Sequence, residues 1–213
     1  MKRFSTWLII IGIIVILTPI VGSFYTNWQQ DRLYEEYLKS QEVKDSISDL
    51  DNAFSESATA AALTAGSITS PAATEPAVPK YKPTVIGRIK IPSVSINLLL
   101  VEGTTSKDLN WGAGHLTATP MPGEQGNCAI AGHRNYTFGS YFSRLGEVKI
   151  GDKFTIEYNK SEYTYEVYDI FAVEPDDSSV LGQPAEGTMV TLITCHPKGS
   201  NSQRLIIYAK LIS

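Results

Sequence analysis

Covalent chemistry in this 213-residue chain has few possible carriers: two cysteines, three histidines and a handful of arginines. Cys195 closes the apolar, β-branched run TMVTLITC, and His196 follows it directly. Such a run is either a buried strand that happens to hold a thiol or a strand that delivers a nucleophile to a surface. A thiol becomes an effective nucleophile when a positioned base takes its proton. Side chains alternate along a strand, so Met189, Thr191, Ile193 and Cys195 share one face while Val190, Leu192, Thr194 and His196 share the other. Cys195 and His196 therefore point apart, and the base must come from elsewhere in the fold.

His133 is the better candidate. In NCAIAGHRNYTFG the alternation places Asn127, Ala129, Ala131 and His133 on one face, and the two alanines leave space such as a groove floor needs. A histidine that merely finishes a strand is the plain alternative. Arg204 opens RLIIYAKL, the strand that follows the cysteine strand by one loop. There Leu205, Ile207, Ala209 and Leu211 are expected to face the core and Arg204, Ile206, Tyr208 and Lys210 the other side. A guanidinium offers a fixed fork of donors suited to a carbonyl or oxyanion, although an isolated arginine is more often an ordinary exposed charge. Cys128, second in its apolar strand, reads as a small buried hydrophobe. The spacing from Cys128 to Cys195 matches no small disulfide scaffold, and free thiols are favoured over a bridge.

These residues need a scaffold, and the chain from Thr84 onward supplies short Val-, Ile-, Tyr- and Thr-rich runs separated by Gly, Pro, Asn and Asp. Strands are predicted at residues 85–91, 94–101, 127–133, 153–159, 162–173, 188–195 and 204–211, with a hairpin turn at Asn159 to Ser161. Short helical pieces are predicted at SKDLNWG and at FGSYFSRL, where Phe138, Phe142 and Leu145 recur at helical spacing. Seven or eight strands with almost no helix predict an all-β, closed or nearly closed barrel. The composition, 43% hydrophobic, suits one domain plus extensions. A formal charge of −4, with no basic cluster beyond the first residues, argues against nucleic acid as a partner.

The chain ahead of the barrel divides by composition. Residues 1–5 carry Lys2 and Arg3 and are expected inside the cell. Residues 6–25 are uncharged and long enough to span a bilayer, with Phe24, Tyr25 and Trp28 suited to its interface. Without a small-x-small cleavage pattern, this run is read as an uncleaved transmembrane anchor rather than a signal peptide. Residues 26–83 are read as a juxtamembrane segment, with amphipathic character at Leu33, Tyr34, Tyr37, Leu38 and Val43, followed by an Ala-, Ser-, Thr- and Pro-rich flexible tether from Asp51. Residues 84–213 form the catalytic domain of this reading.

TLITC, AGHR and an arginine opening the last strand, in that order on an anchored extracytoplasmic β-domain, resemble the sortase family of cysteine transpeptidases. Its TLxTC signature is met by Thr191, Leu192, Thr194 and Cys195, and the likeness runs from Gly87 to Leu211 through GRIKIPSVSINLLLVEGT, GHLTATPMPGEQGNCAIAGHR and VEPDDSSVL. The resemblance implies an eight-stranded sortase-type barrel on a Gram-positive cell surface. It implies Cys195 as nucleophile, His133 as acid and base, and Arg204 as oxyanion support. Thr194, Ala129, Ala131, Ile193 and His196 are expected at the substrate, the last through its backbone N–H, whereas Asn135 and His115 are not expected to be catalytic. His115 is read as part of a polar loop or strand edge, and Asp176 and Asp177 as a solvated turn.

The implied substrate is an LPxTG-type sorting signal cut between Thr and Gly, and the implied acceptor is a peptidoglycan-precursor amine of the lipid II kind. The tether would give the enzyme reach and a high effective concentration at the membrane. One N-terminal anchor, no C-terminal membrane segment and no lid motif before Gly87 argue against the pilus-polymerising type. The PMPGExGN run and short Cys-to-Arg loop lean to class D over class A. No cofactor is expected, since Lys107 and Gly182-Gln183 stand where the calcium-binding acids of some class A members would fall. The rival readings are another extracytoplasmic Cys/His wall peptidase or transpeptidase, and a noncatalytic β-barrel adhesin.

Overall fold

The computed structural model describes Trp7 and residues 28–42, 81–134 and 141–213. Nearly all of the proposed transmembrane anchor, most of the tether and Asn135 lie outside the described residues. Among those described, no helix is long and apolar enough to cross a membrane.

The strands are β1 (Val85–Ile91), β2 (Ile96–Glu102), β3 (Ala113–His115), β4 (Gly126–Ala131), β5 (Lys153–Tyr158), β6 (Ser161–Val173), β7 (Thr188–His196) and β8 (Gln203–Leu211). They close into a barrel in the order β1-β2-β3-β4-β7-β8-β6-β5. Closure leaves no long unpaired edge. The 13 residues of β6 make it possible, because its first half pairs with β5 and its second half with β8. At the β5–β6 turn Asn159 (φ 48) and Lys160 (φ 64) are both left-handed, as a tight two-residue hairpin requires. Gly87 sits where β1 and β5 come closest, and a Cβ there would lie 2.0 Å from the Glu157 carbonyl oxygen.

Period-two patterning sorts the barrel into an inner and an outer face. Cys128 and Ile130 of β4, Val190 and Leu192 of β7, and Ile207 and Ala209 of β8 join Ile89, Leu98, Leu100, Phe154, Ile156 and Tyr165 in one interior cluster. Burying each large side chain contributes roughly 1.5–3 kcal/mol. Cys128 is 1% exposed within it, and Cys195 lies on the opposite face of the sheet, so both thiols are free.

Three features depart from the sequence reading. The pattern misses β3, whose three residues include a glycine and pair in parallel with β2. His115 on that strand is no polar edge but fully buried, between the Glu102 carboxylate at Nδ1 (2.9 Å) and the Pro120 carbonyl at Nε2 (3.1 Å). Of the helix expected around residues 138–145, the described part is a turn at 141–144 running into a 3-10 turn, Leu145–Glu147. The SKDLNWG helix is present as α2 (Ser106–Leu109), held by a capping box in which Thr105 and Asp108 bond each other's backbone N–H.

The third departure is α1, residues 28–42, which is no simple spacer. It lies on the barrel wall formed by β1 and β5. Asp31 pairs with Arg88 at 3.0 Å, the Arg88 guanidinium stands 4.3 Å over the Tyr34 ring, Tyr34 donates to Glu157, and Glu36 meets Lys82 at 2.6 Å. Arg88 is thereby a buried charge with partners from another element, the condition under which burial is tolerated.

Candidate active site

β7 and β8 pair so that Cys195 and Arg204 are direct cross-strand partners, which puts both side chains on the outer face. β4 runs parallel to β7 on its other flank, with Ala131 opposite Ile193. Continuing that register by two residues sets His133 level with Cys195. The three expected catalytic residues therefore come from three adjacent strand ends at one rim of the barrel. His133 is half-buried, with its ring edge-on to Tyr141 at 6.1 Å between centroids.

Asn201, in the β7–β8 loop, links two of them. Its Oδ1 accepts from the Cys195 thiol at 3.2 Å and from Arg204 Nη1 at 2.8 Å. Every bond that Arg204 makes to described residues runs through Nη1, which also donates to the carbonyls of Asn201 (3.4 Å) and Gln203 (3.0 Å). The other arm of the fork remains for a further acceptor. Sequence reasoning missed Asn201, because only the fold makes a loop asparagine three positions before Arg204 a neighbour of the thiol.

Next to this cluster an apolar groove of about 220 Å³ lies on the outer face, floored by Ile193 and Ile206, walled by Val180, Leu181 and Leu116, with Arg204 at one end. Its wall is the β6–β7 loop, and buried polar residues fasten that loop to the sheet. Asn127 donates to the carbonyls of Val180 (3.2 Å) and Gly182 (3.1 Å) and accepts from the Thr191 hydroxyl (2.7 Å). Asp176 and Asp177 are exposed on the loop as expected. The Ser179 hydroxyl, then the Ser179 N–H that donates to Asp177 at 2.9 Å, holds the Asp177 carboxyl below the usual range. A larger hollow of about 800 Å³ runs along α1 beside Trp111, but charged side chains dominate its lining and it holds none of the three candidate residues.

The five expected substrate contacts divide. Ile193 lines the groove, and Ala131 is half-buried on the same face. Ala129 shares that face but is fully buried, its N–H bonded to Thr119, so it offers a substrate no surface. Thr194 needs correction, because the alternation that sends Cys195 outward sends its side chain the other way; the His196 ring goes that way too, while the contact expected of His196 is through its backbone N–H. Thr194 is 2% exposed and donates to the Gly132 carbonyl at 2.7 Å, while the His196 ring accepts from Arg134 at 3.0 Å. Both threonines of TLITC are thus structural ties, Thr191 to the groove wall through Asn127 and Thr194 to the residue before His133.

A strand-borne thiol opposite a guanidinium, level with a histidine and beside an apolar groove, is an arrangement suited to acyl transfer on an extended peptide. It differs from papain-like sites, where the cysteine sits on a helix. Comparison with known proteins agrees. The Sortase domain family matches residues 89–212. Among relatives, Sortase D of Bacillus subtilis (strain 168) is 34% identical over 130 residues, covering 60% of this chain and 64% of that protein. Sortase A of Bacillus anthracis is 37% identical over 131 residues, covering 62% and 61%. Sortase A from Corynebacterium diphtheriae superposes with a TM-score of 0.60 at 33% identity over 62% of each chain. The chain belongs to the sortase family. The match spans somewhat under two thirds of the length of the two Bacillus relatives.

Proposed function

We propose that this chain is a membrane-anchored sortase that cuts an LPxTG-type sorting signal between Thr and Gly and transfers the protein to a peptidoglycan-precursor amine. The observation that carries the reading is the Cys195–Arg204 cross-strand pair, held together through Asn201 at the end of the groove. The Cys195 thiolate attacks the threonine carbonyl, and Arg204 Nη2 with nearby backbone N–H groups takes the developing oxyanion. The C–N bond breaks as His133 gives its proton to the leaving glycine amine. His133 then accepts a proton from the incoming amine, which attacks the thioester and releases Cys195. Ile193, Ile206, Val180 and Leu181 give the peptide an apolar bed. The chemistry calls for side chains and backbone amides alone, with no cofactor.

The uncharged run of residues 6–25 supports a single-pass anchor with the barrel outside the cell. The likeness to Sortase D of Bacillus subtilis fits a class D assignment, and the likeness to Sortase A of Bacillus anthracis keeps class A beside it. The test is to incubate the protein with a library of sorting peptides and candidate amines and identify products by mass spectrometry. LPxTG peptides should yield amine adducts at the threonine carboxyl, and Cys195→Ala should yield none. Products from the Cys195→Ala protein, or no reaction with any sorting peptide, would sink the reading.

A further inference from the structure

The parallel β4–β7 ladder has a fixed offset. The Gly126 N–H donates to the Gly187 carbonyl and the Gly132 N–H to the Ile193 carbonyl, both at 3.0 Å, and the next rung in that series joins Arg134 to Cys195. At that rung the donor is the guanidinium of Arg134 itself, whose Nη1 reaches the Cys195 carbonyl at 3.1 Å and Nδ1 of His196 at 3.0 Å. A side chain thus occupies the place of a backbone N–H. It keeps the two strand ends bonded past the point where the backbone ladder stops, on the far side of His133 from the Gly132 rung.

The tip of the arm lies against Gly146, where any larger residue would make it shift. A Cβ on Gly146 would lie 2.1 Å from Arg134 Nη2. On either side of the arm the backbone is also fastened, with Thr194 Oγ1 donating to the Gly132 carbonyl (2.7 Å) and the Phe142 N–H to the His133 carbonyl (2.9 Å). The residue after the histidine therefore holds the cysteine's own carbonyl, and its planar fork fixes that contact in direction as well as length.

We propose that Arg134 is a positioning residue for the transfer reaction, setting the separation and relative orientation of His133 and Cys195 through the carbonyl of Cys195. This rests on the assignment of those two residues under Proposed function. A proton donor and a nucleophile that serve one bond tolerate little displacement, and an error of about 1 Å costs on the order of 10²-fold in rate.

The test compares the full-length wild type with Arg134→Met, Arg134→Lys, Gly146→Ala and the double variant Arg134→Met/Gly146→Ala, with Cys195→Ala as the zero. Methionine preserves much of the stem and removes the donors. The expected result is a kcat lowered roughly 10- to 100-fold for Arg134→Met with KM nearly unchanged. Arg134→Lys should recover part of the loss, Gly146→Ala should lower kcat although it keeps the arginine, and the double variant should lose no more than Arg134→Met alone. The proposal is overturned if Arg134→Met keeps kcat within about twofold of wild type, or if KM rises while kcat holds, which marks a substrate contact. Should Arg134→Met not fold, Gly146→Ala decides alone, and full activity in that variant overturns the proposal. An inactive wild type or an active Cys195→Ala protein sinks both the reading and the proposal, whereas an active wild type indifferent to Arg134 sinks only the latter.

Discussion

Replacing Arg204 with lysine tests the oxyanion role at constant charge. In the structure Nη1 is committed to Asn201 and Gln203, and under the proposed function the second arm of the guanidinium donates to the substrate carbonyl at the groove end. One ammonium cannot reproduce both arms. If it stays with Asn201 the oxyanion loses its donor, and if it turns to the substrate it leaves the contact that aligns it with Cys195. Losing one preorganised donor costs about 2.7–4 kcal/mol of transition-state stabilisation, so kcat/KM should fall roughly 10²- to 10³-fold. Thermal stability should hardly move. Arg204 is half-buried on the outer face while Leu205 and Ile207 carry the packing, and such a change falls within about 0.5 kcal/mol. A fluorogenic sorting peptide with an amine acceptor gives kcat/KM, and a thermal melt gives the control. A lysine variant within about threefold of wild type would refute the assignment and leave the oxyanion to backbone amides.

Three other outcomes are expected. Burial pushes the Cys128 thiol far above its ordinary range, so a methanethiosulfonate should label one thiol per folded chain, none in Cys195→Ala, and both in wild type only after denaturation; fast labelling of Cys128 in the fold would contradict its core placement. A protein starting at residue 84 should be less stable in urea than one starting at residue 28 by about 1–2 kcal/mol, because Arg88 loses Asp31 and Tyr34, yet equally active per folded molecule, and equal stability would mean that α1 does not dock in solution. The Thr105 hydroxyl, then Tyr81, holds the Asp108 carboxyl below its usual range. Its contribution is thus complete above the ordinary carboxylate range near pH 4 and lost as pH falls through the lower folded value. Asp108→Ala should cost about 1 kcal/mol at neutral pH, a difference that closes in acid melts and would remain open if the carboxylate played no part.

Where one face of a strand is packed and the other open, the sequence is easy to read. RLIIYAKL alternates except at Ile206, an apolar outward residue buried at the groove, and Leu205, Ile207 and Ala209 go inward as their spacing demands. The same rule already separated the Thr194 side chain from Cys195, and its placement at the substrate went against it. β3 was illegible because three residues, one of them glycine, carry no period, and its partners are set by closure of the barrel. Asn201 and Arg134 were illegible for another reason. Their partners stand 6 and 61 positions away in the chain, and the contacts are polar, so no hydrophobic pattern marks them. The docking of α1 escaped notice likewise, resting on an arginine, a tyrosine and carboxylates rather than an apolar stripe.

That docked helix changes what the long Ala- and Ser-rich stretch can do. In the barrel, β1 is separated from β7 by three strands in either direction, so α1 rides on the wall diametrically opposed to Cys195. The chain leaves this wall after residue 42 and comes back to it at Tyr81, beside the Glu36–Lys82 pair. The described residues on either side of 43–80 thus rest on the same body. Doubling the number of residues between them would cost only about 0.6 kcal/mol in loop closure. It would leave the distance from residue 28 to the thiol untouched. The groove, on the outer face of β7 and β8, thus faces away from the wall that carries α1.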